Sequence, residues 1–155
     1  MRETIPIRPI GYVRGGRASP TDDGWQASEA CIDLDTDEFG AEALAGLAAF
    51  SHVEVLFHFH AAHESDVTKG ARHPRGNTAW PKVGIFAQRG KDRPNRIGAT
   101  ICELLSVHGT TLTLRGLDAI DGTPVIDIKP VLTGFLPRGA VREPNWAKEL
   151  MRKYW

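Results

Sequence analysis

Cysteine is scarce in this chain: Cys31 and Cys102 are the only two in 155 residues. They have neither CxxC spacing nor a disulfide-rich context, and two buried thiols in a reducing cytoplasm are expected. Long apolar runs are absent too, and nothing approaches the ~18 residues of a membrane span. Met1–Ile10 carries two Pro and two Arg without an apolar block, so no signal peptide is expected. No GxGxxG follows a first strand, and long helices do not alternate with strands, which argues against a doubly wound nucleotide fold. There is no HExxH motif, no internal repeat and no low-complexity stretch. Net charge is zero, which argues against strong non-specific nucleic-acid binding.

What is present is an ordinary globular balance, with 41% hydrophobic and 25% charged residues, in a length that suits one domain over 1–155. The neutral total hides a division. Ala18–Thr68 contains eleven acids and no Lys or Arg, whereas Lys69–Ile97 contains eight cations against the single acid Asp92. Either one face is suited to an anion, or the two stretches lie together and neutralise each other. Thirteen of the nineteen cations are Arg, the side chain that grips carboxylate or phosphate in two-pronged fashion.

Strand and turn signals dominate. Ile10–Arg14 and Glu29–Leu34 read as strands around a Gly/Ser/Pro/Asp loop at 15–23. Ser51–His60 has the clearest period of two, with Val53, Val55, Phe57 and Phe59 on one face and His52, Glu54, Leu56, His58 and His60 on the other. Asp37–Ala49 carries Ala, Leu and Glu at helical spacing, with Asp35 or Asp37 as cap. His63–Lys82 reads as a long loop, a kind that is often functional. Val83–Gln88 is expected as a strand, Arg89–Arg96 as a tight basic loop, and 97–107 with 110–115 as a hairpin about His108-Gly109. A loop at 117–124 leads to a strand at 125–128, and Pro144–Tyr154 reads as a terminal helix. The expectation is a mainly β domain, a small barrel or strongly bent sheet with one or two peripheral helices.

Three constellations carry possible chemistry. In Gly84-Ile-Phe-Ala-Gln-Arg-Gly-Lys-Asp-Arg-Pro-Asn-Arg-Ile-Gly98, a strand delivers Arg89 where a rigid element can hold its guanidinium against a carboxylate. A solvated basic hairpin loop is the competing reading. In Gly116-Leu-Asp-Ala-Ile-Asp-Gly-Thr-Pro-Val-Ile-Asp-Ile-Lys-Pro130, Asp118, Asp121 and Asp127 cluster around an Asp121-Gly122 turn. Such a turn can hold ribose hydroxyls or an amine, or it is a structural Asx-turn. Asp127 and Lys129 are placed to pair on one strand face. The third group is His52, His58 and His60 with His63 and His73. It invites a zinc-hydrolase reading, against which stands the lack of any strong ligand spacing.

The two long motifs, in this order, resemble the TsaA-like domain of the TrmO methyltransferases, whose pattern runs roughly GVFATRSPxRPNPIG and then LDxxDGTPVxDIKPY. Ile10-Gly-Tyr-Val-Arg14 and the strand from Phe50 to Phe59 are similar as well, so the likeness covers nearly the whole chain. It implies a small β-barrel that binds S-adenosylmethionine, is usually a homodimer with sites near the subunit interface, and in bacterial relatives methylates N6 of threonylcarbamoyladenosine in tRNA beside the anticodon. By this resemblance the cofactor contacts fall on Gly24, Trp25, Gln26, His60, Arg89, Ala99, Asp121, Gly122, Thr123 and Pro124. Arg93, Asn95 and Arg96 would face the acceptor. No metal ligand is implied, and no residue is assigned as catalytic. The sequence departs from the pattern at Gly90-Lys91, where the family has Ser-Pro, and at Arg96, where it has Pro. The tRNA-modifying bacterial members carry a further C-terminal domain, and this chain is expected to be a short member without it. A small-molecule acceptor and a non-catalytic S-adenosylmethionine-binding module are the alternatives. Salt dependence separates a tRNA acceptor from a small one.

Overall fold

The structure is a computed structural model and describes residues 2–155. Its centre is a closed antiparallel barrel of six strands, with a two-stranded ribbon beside it. The barrel strands are β1 (Gly11–Arg14), β2 (Glu29–Leu34), β3 (His52–His58), β6 (Ile97–His108), β7 (Thr111–Arg115) and β8 (Pro124–Pro130). The ribbon pairs β4 (Ala71–Arg72) with β5 (Val83–Gly84). Around the barrel the order is β1-β2-β7-β6-β3-β8, and β8 closes onto β1 through Gly11↔Val125 and Tyr12↔Pro124.

Closure follows from the alternation. Val13, Ile32, Val53, Val55, Phe57, Leu112, Leu114 and Val125 all turn inward and are buried. Their partners in each strand stay at the surface, so one continuous apolar interior is filled by side chains. The long β6 joins two halves of the wall. Residues 97–103 pair with β3 and 103–108 with β7, with a shift of register between Leu104 and Ser106. A second shift, between Leu56 and Phe57 against β8, bends β3 where it leaves the barrel. Such irregularities turn side chains at barrel rims.

The barrel and its hairpin follow the sequence reading; several smaller elements do not. The helix expected over Asp37–Ala49 is replaced by two 3-10 turns, Ala41–Leu44 and Leu47–Ala49. Gly46 separates them in the left-handed region (φ 85°), which halts helix propagation, while Leu44 is buried against the core. The strand expected over Val83–Gln88 stops at Gly84 and turns into a 3-10 segment, Ile85–Ala87. The Gln88 side-chain amide fixes this turn by donating to the carbonyls of Arg72 (3.0 Å) and Val83 (2.9 Å). The loop at 63–82 contains β4 and two 3-10 turns. The terminal helix, α1, is Asn145–Met151, shorter than 144–154. Cys102 is buried as expected, but Cys31 is only half-buried, beside Thr113 on β7.

Asp33 ties β1 to β2 from the outside. It accepts from Arg14 Nε and Nη2 and from Thr111 Oγ1 (2.8 Å). The Arg14 hydrogen bond is the main cause holding its carboxyl below the ordinary carboxylate range, with burial opposing. A depressed folded-state pKa stabilises the fold above the unfolded value of about 4, and that contribution is lost as pH falls through the folded one. Asp33→Asn is therefore expected to be less stable than the parent at pH 7, with the gap narrowing below about pH 4. The surface position keeps this effect small, and thermal unfolding across pH reads it.

Candidate functional site

The strand ends on one side of the barrel enclose a small cleft of about 120 Å³. Phe57, Phe59 and His60 reach it from the end of β3, and Trp25 and Pro20 from the first loop. Asp118, Ala119, Ile120 and Thr123 come from the loop before β8, and Lys91 from the basic loop. A larger apolar cavity of about 310 Å³ lies at the opposite end, lined by residues such as Ile10, Leu44, Phe50 and Ile128. None of the residues expected to contact cofactor or acceptor lines it.

Trp25, His60 and Thr123 thus line one cleft although they are far apart in sequence. Trp25 is almost wholly buried. Its Nε1 donates to the Thr21 carbonyl (3.1 Å), its backbone N–H to the Tyr154 carbonyl (2.8 Å), and the Arg17 guanidinium lies 4.2 Å from its ring centre. Gly24, in the left-handed region (φ 79°), donates its N–H to the Lys153 carbonyl (3.0 Å). Gln26 is exposed beside Gly116.

The Asp121–Pro124 turn is stitched to the barrel. Asp121 Oδ1 accepts from the Gly15 N–H (2.8 Å). The N–H groups of Asp121, Gly122 and Thr123 donate to the carbonyls of Arg17, Val13 and Ile120. The expected Asx-turn does not form, because the Asp121 side chain bonds the distant Gly15 and not its own backbone two residues on. These bonds hold the turn rigid, one Asp121 oxygen is left over, and Gly122 (φ 80°) presents a face without a side chain. A Cβ placed there would meet nothing closer than His60 Nε2, at 3.9 Å.

Arg89 is exposed and donates to the Ala99 carbonyl. The next residue in β6, Thr100, donates its hydroxyl to Asp118 Oδ1, and Tyr154 donates its hydroxyl to Asp118 Oδ2. Burial and the Asp118 charge push the Tyr154 hydroxyl up, while Arg75 and Arg89 pull the other way, so Arg89 lies near this network. Burial, followed by the Asp118 charge, pushes the Cys102 thiol up to about 12.

The structure does not bring Arg93, Asn95 and Arg96 into the cleft. Arg93 donates to the Gln88 carbonyl (2.6 Å), and Arg96 to the Ala62 carbonyl (2.6 Å), with its second amino group 3.5 Å from Glu64. Asn95 and Arg96 both take left-handed backbone angles, the conformation Asn tolerates best. The two oppositely charged stretches do meet, through Arg75–Asp23 (3.1 Å) and Arg96–Glu64, but Arg72 and Lys91 pair with Asp92 inside the basic stretch. Asp127 and Lys129 pair as expected (2.6 Å).

Burial, then Arg96 and His60, holds the His58 imidazole below its ordinary value. Among the described residues no three His, Cys, Asp or Glu side chains are grouped to hold a metal. Sequence reasoning saw Asp118 only as one of several acids and overlooked Thr100 and Tyr154. No local signal links Asp118 to a tyrosine 36 residues away.

These features define a small antiparallel barrel with a cleft at its strand ends, aromatic on its walls and carboxylate-bearing within. The chain belongs to the family of the tRNA-methyltransferase O N-terminal domain, whose model matches residues 16–135. It is 41% identical over 110 residues to the tRNA (adenine(37)-N6)-methyltransferase of Mus musculus, covering 70% of this chain and 25% of that protein. It is 41% identical over 128 residues to a probable S-adenosyl-L-methionine-binding protein of Methanothermobacter thermautotrophicus, covering 81% and 89% respectively. The crystal structure of TrmO from Pseudomonas aeruginosa superposes with a TM-score of 0.74 at 32% identity, over 93% of this chain and 62% of that one. The chain spans between 25% and 32% of the length of the mouse, rat and human relatives it matches.

Proposed function

We propose that the chain, as one domain over 1–155, binds S-adenosylmethionine in the cleft at the strand ends and transfers its methyl group to N6 of an adenosine beside the anticodon in tRNA, threonylcarbamoyladenosine by the family resemblance. One observation carries the reading: Trp25, His60 and Thr123, far apart in sequence, converge on one cleft. The donor set fits the cofactor. Trp25, Phe57 and Phe59 offer apolar faces, Asp118 and Asp121 offer carboxylate oxygens, Gly122 leaves room for close approach, and Arg89 offers guanidinium N–H groups.

When bound, S-adenosylmethionine supplies a methyl group on a positively charged sulfur. The protein's part is placement, because in-line displacement needs nucleophile and methyl carbon about 3–3.5 Å apart with aligned orbitals. Arg89 would grip the methionine carboxylate in a charge-assisted bond. Trp25 and the Phe57–Phe59 pair keep water from the cleft. His60, exposed beside Gly122, is the group positioned to take a proton at Nε2 from an acceptor nitrogen. Arg93, Asn95 and Arg96 hold the basic loop in shape, and the guanidinium charge there suits a phosphate-bearing acceptor. A homodimer with the cleft near its interface, acting in the cytoplasm, belongs to the same proposal, and the outward-facing Phe86 and Phe135 are surfaces for a partner copy to cover.

A second reading is favoured by one observation. The chain covers 89% of a relative described only as a probable S-adenosyl-L-methionine-binding protein. A binding module predicts tight cofactor binding with no turnover on tRNA or small acceptors.

Calorimetric titration with S-adenosylmethionine tests both readings at their shared step. Micromolar binding is expected, weakened in Arg89→Ala by about 1.5–3 kcal/mol, more than tenfold. Absence of binding at millimolar cofactor would sink both. Methyl incorporation into bulk tRNA then separates enzyme from module.

A further inference from the structure

We propose that Asp118, held by Thr100 and by Tyr154 of the C-terminal tail, reads the positive charge of the bound sulfonium, so that the cleft prefers S-adenosylmethionine to its neutral demethylated product. The inference rests on the reading that this cleft is the cofactor site.

Asp118 is half-buried in the cleft wall, between the buried Leu117 and Ala119. Asp23, Asp33, Asp92 and Asp127 each have an Arg or Lys partner, but no ion pair among the described residues involves Asp118. Its two oxygens accept from the Thr100 and Tyr154 hydroxyls. Both donors are neutral, so they satisfy the carboxylate's hydrogen bonds without supplying a direct counter-ion. A partly desolvated carboxylate without a counter-ion is costly, and a cation entering the cleft gains an attraction that bulk water would screen at the surface.

The walls favour the same class of ligand. Trp25, Phe57 and Phe59 line the cleft with Asp118, and the two phenyl rings meet edge to face, their centres 5.3 Å apart. Aromatic faces attract onium ions through their quadrupole. Of the cations around Asp118, Lys91 and Arg75 are paired with other carboxylates, and none forms an ion pair with Asp118. Lys91 Nζ lies 3.0 Å from Asp92, Arg89 donates to the Ala99 carbonyl, and Arg75 pairs with Asp23 and lies 6.0 Å from the Tyr154 ring centre. His60 sits at the mouth. The Cys102 thiol, pushed up to about 12, stays neutral and adds no rival anion.

Tyr154 lies outside the matched residues 16–135. The tail that presents it also accepts the Gly24 and Trp25 N–H groups on the carbonyls of Lys153 and Tyr154. One segment thus fixes both the carboxylate and the aromatic wall, and Tyr154 acts as a positioning residue.

The test titrates the parent, Asp118→Asn and Tyr154→Phe with S-adenosylmethionine and with S-adenosylhomocysteine, which lacks the methyl group and the charge. The parent is expected to favour the charged ligand by about tenfold or more. Asp118→Asn should lose that preference while holding S-adenosylhomocysteine within about twofold, because only the charge term changes. Tyr154→Phe, which keeps the ring, should reduce the preference part of the way. Asn matches Asp in shape and both hydroxyls can rotate to meet its amide, which thermal unfolding checks. An unchanged ratio in Asp118→Asn, or equal loss of both ligands, overturns the proposal. Should Asp118→Asn fail to fold, an unchanged ratio in Tyr154→Phe overturns it instead. A parent that binds neither ligand overturns the cofactor reading, a different result from either.

Discussion

Phe57→Ala is expected to lower the unfolding free energy by about 3–5 kcal/mol. Phe57 is 2% exposed and is one of the largest buried side chains in the barrel. It stands at the end of β3, opposite Gly98 on β6 and just past the register shift against β8. Truncation removes the transfer energy of the ring and leaves a void behind β3, which is hydrogen-bonded to β6 on one side and β8 on the other and cannot collapse into it. The edge-to-face contact with Phe59 is lost too, worth about 0.5–1.5 kcal/mol. Stability of a domain this size is about 5–15 kcal/mol, so the variant would be marginal. Because the ring also lines the cleft, cofactor binding should weaken in the fraction that stays folded. Denaturant unfolding with a loss under about 1 kcal/mol would mean the ring is not packed as described.

Gly98→Ala attacks the same contact from the other side, and a cost near the upper end of about 1–3 kcal/mol is expected. A Cβ at Gly98 would lie 2.6 Å from two atoms of the Phe57 ring and 2.9 Å from Phe59. Its backbone needs no left-handed angle, so the cost is one of space and not of torsion. The Phe57 ring cannot retreat far, since it is enclosed by the core. The two changes are therefore coupled. In the double variant Phe57→Ala/Gly98→Ala the clash has lost its main partner, and the glycine change should cost much less than alone. Equilibrium unfolding of all four proteins reads this. Additivity within about 0.3–0.5 kcal/mol would show that the two residues do not touch.

The pair also shows how far the sequence could be read. The inward set Val53, Val55 and Phe57 is legible because a strand's side chains alternate, and one register puts all of them inside. The His108-Gly109 hairpin and the Asp121-Gly122 turn are legible because turn chemistry is local. Gly98 ends the first motif without a side chain, but nothing in one sequence says that Phe57 packs against it. The helix expected over Asp37–Ala49 failed for a related reason. Its composition favours a helix, yet Gly46 and the burial of Leu44 at the barrel end decide on two short turns. The expected strand at Val83–Gln88 was cut short by a glutamine side chain bonding two carbonyls, one of them 16 residues away.

The residues proposed for the cofactor came from the family resemblance, whereas the sequence by itself determined the barrel strands and the two loops that carry the family's motifs. These depend on period, turn residues and motif order, all of which are written along the chain. Only the tertiary structure decided which of those residues share a cleft. It gathered Trp25, His60 and Thr123, tied Arg93 and Arg96 into backbone contacts, and set Tyr154 on Asp118. Such choices come from barrel closure and from where the terminal segment returns, and they depend on distances between residues that no local pattern relates.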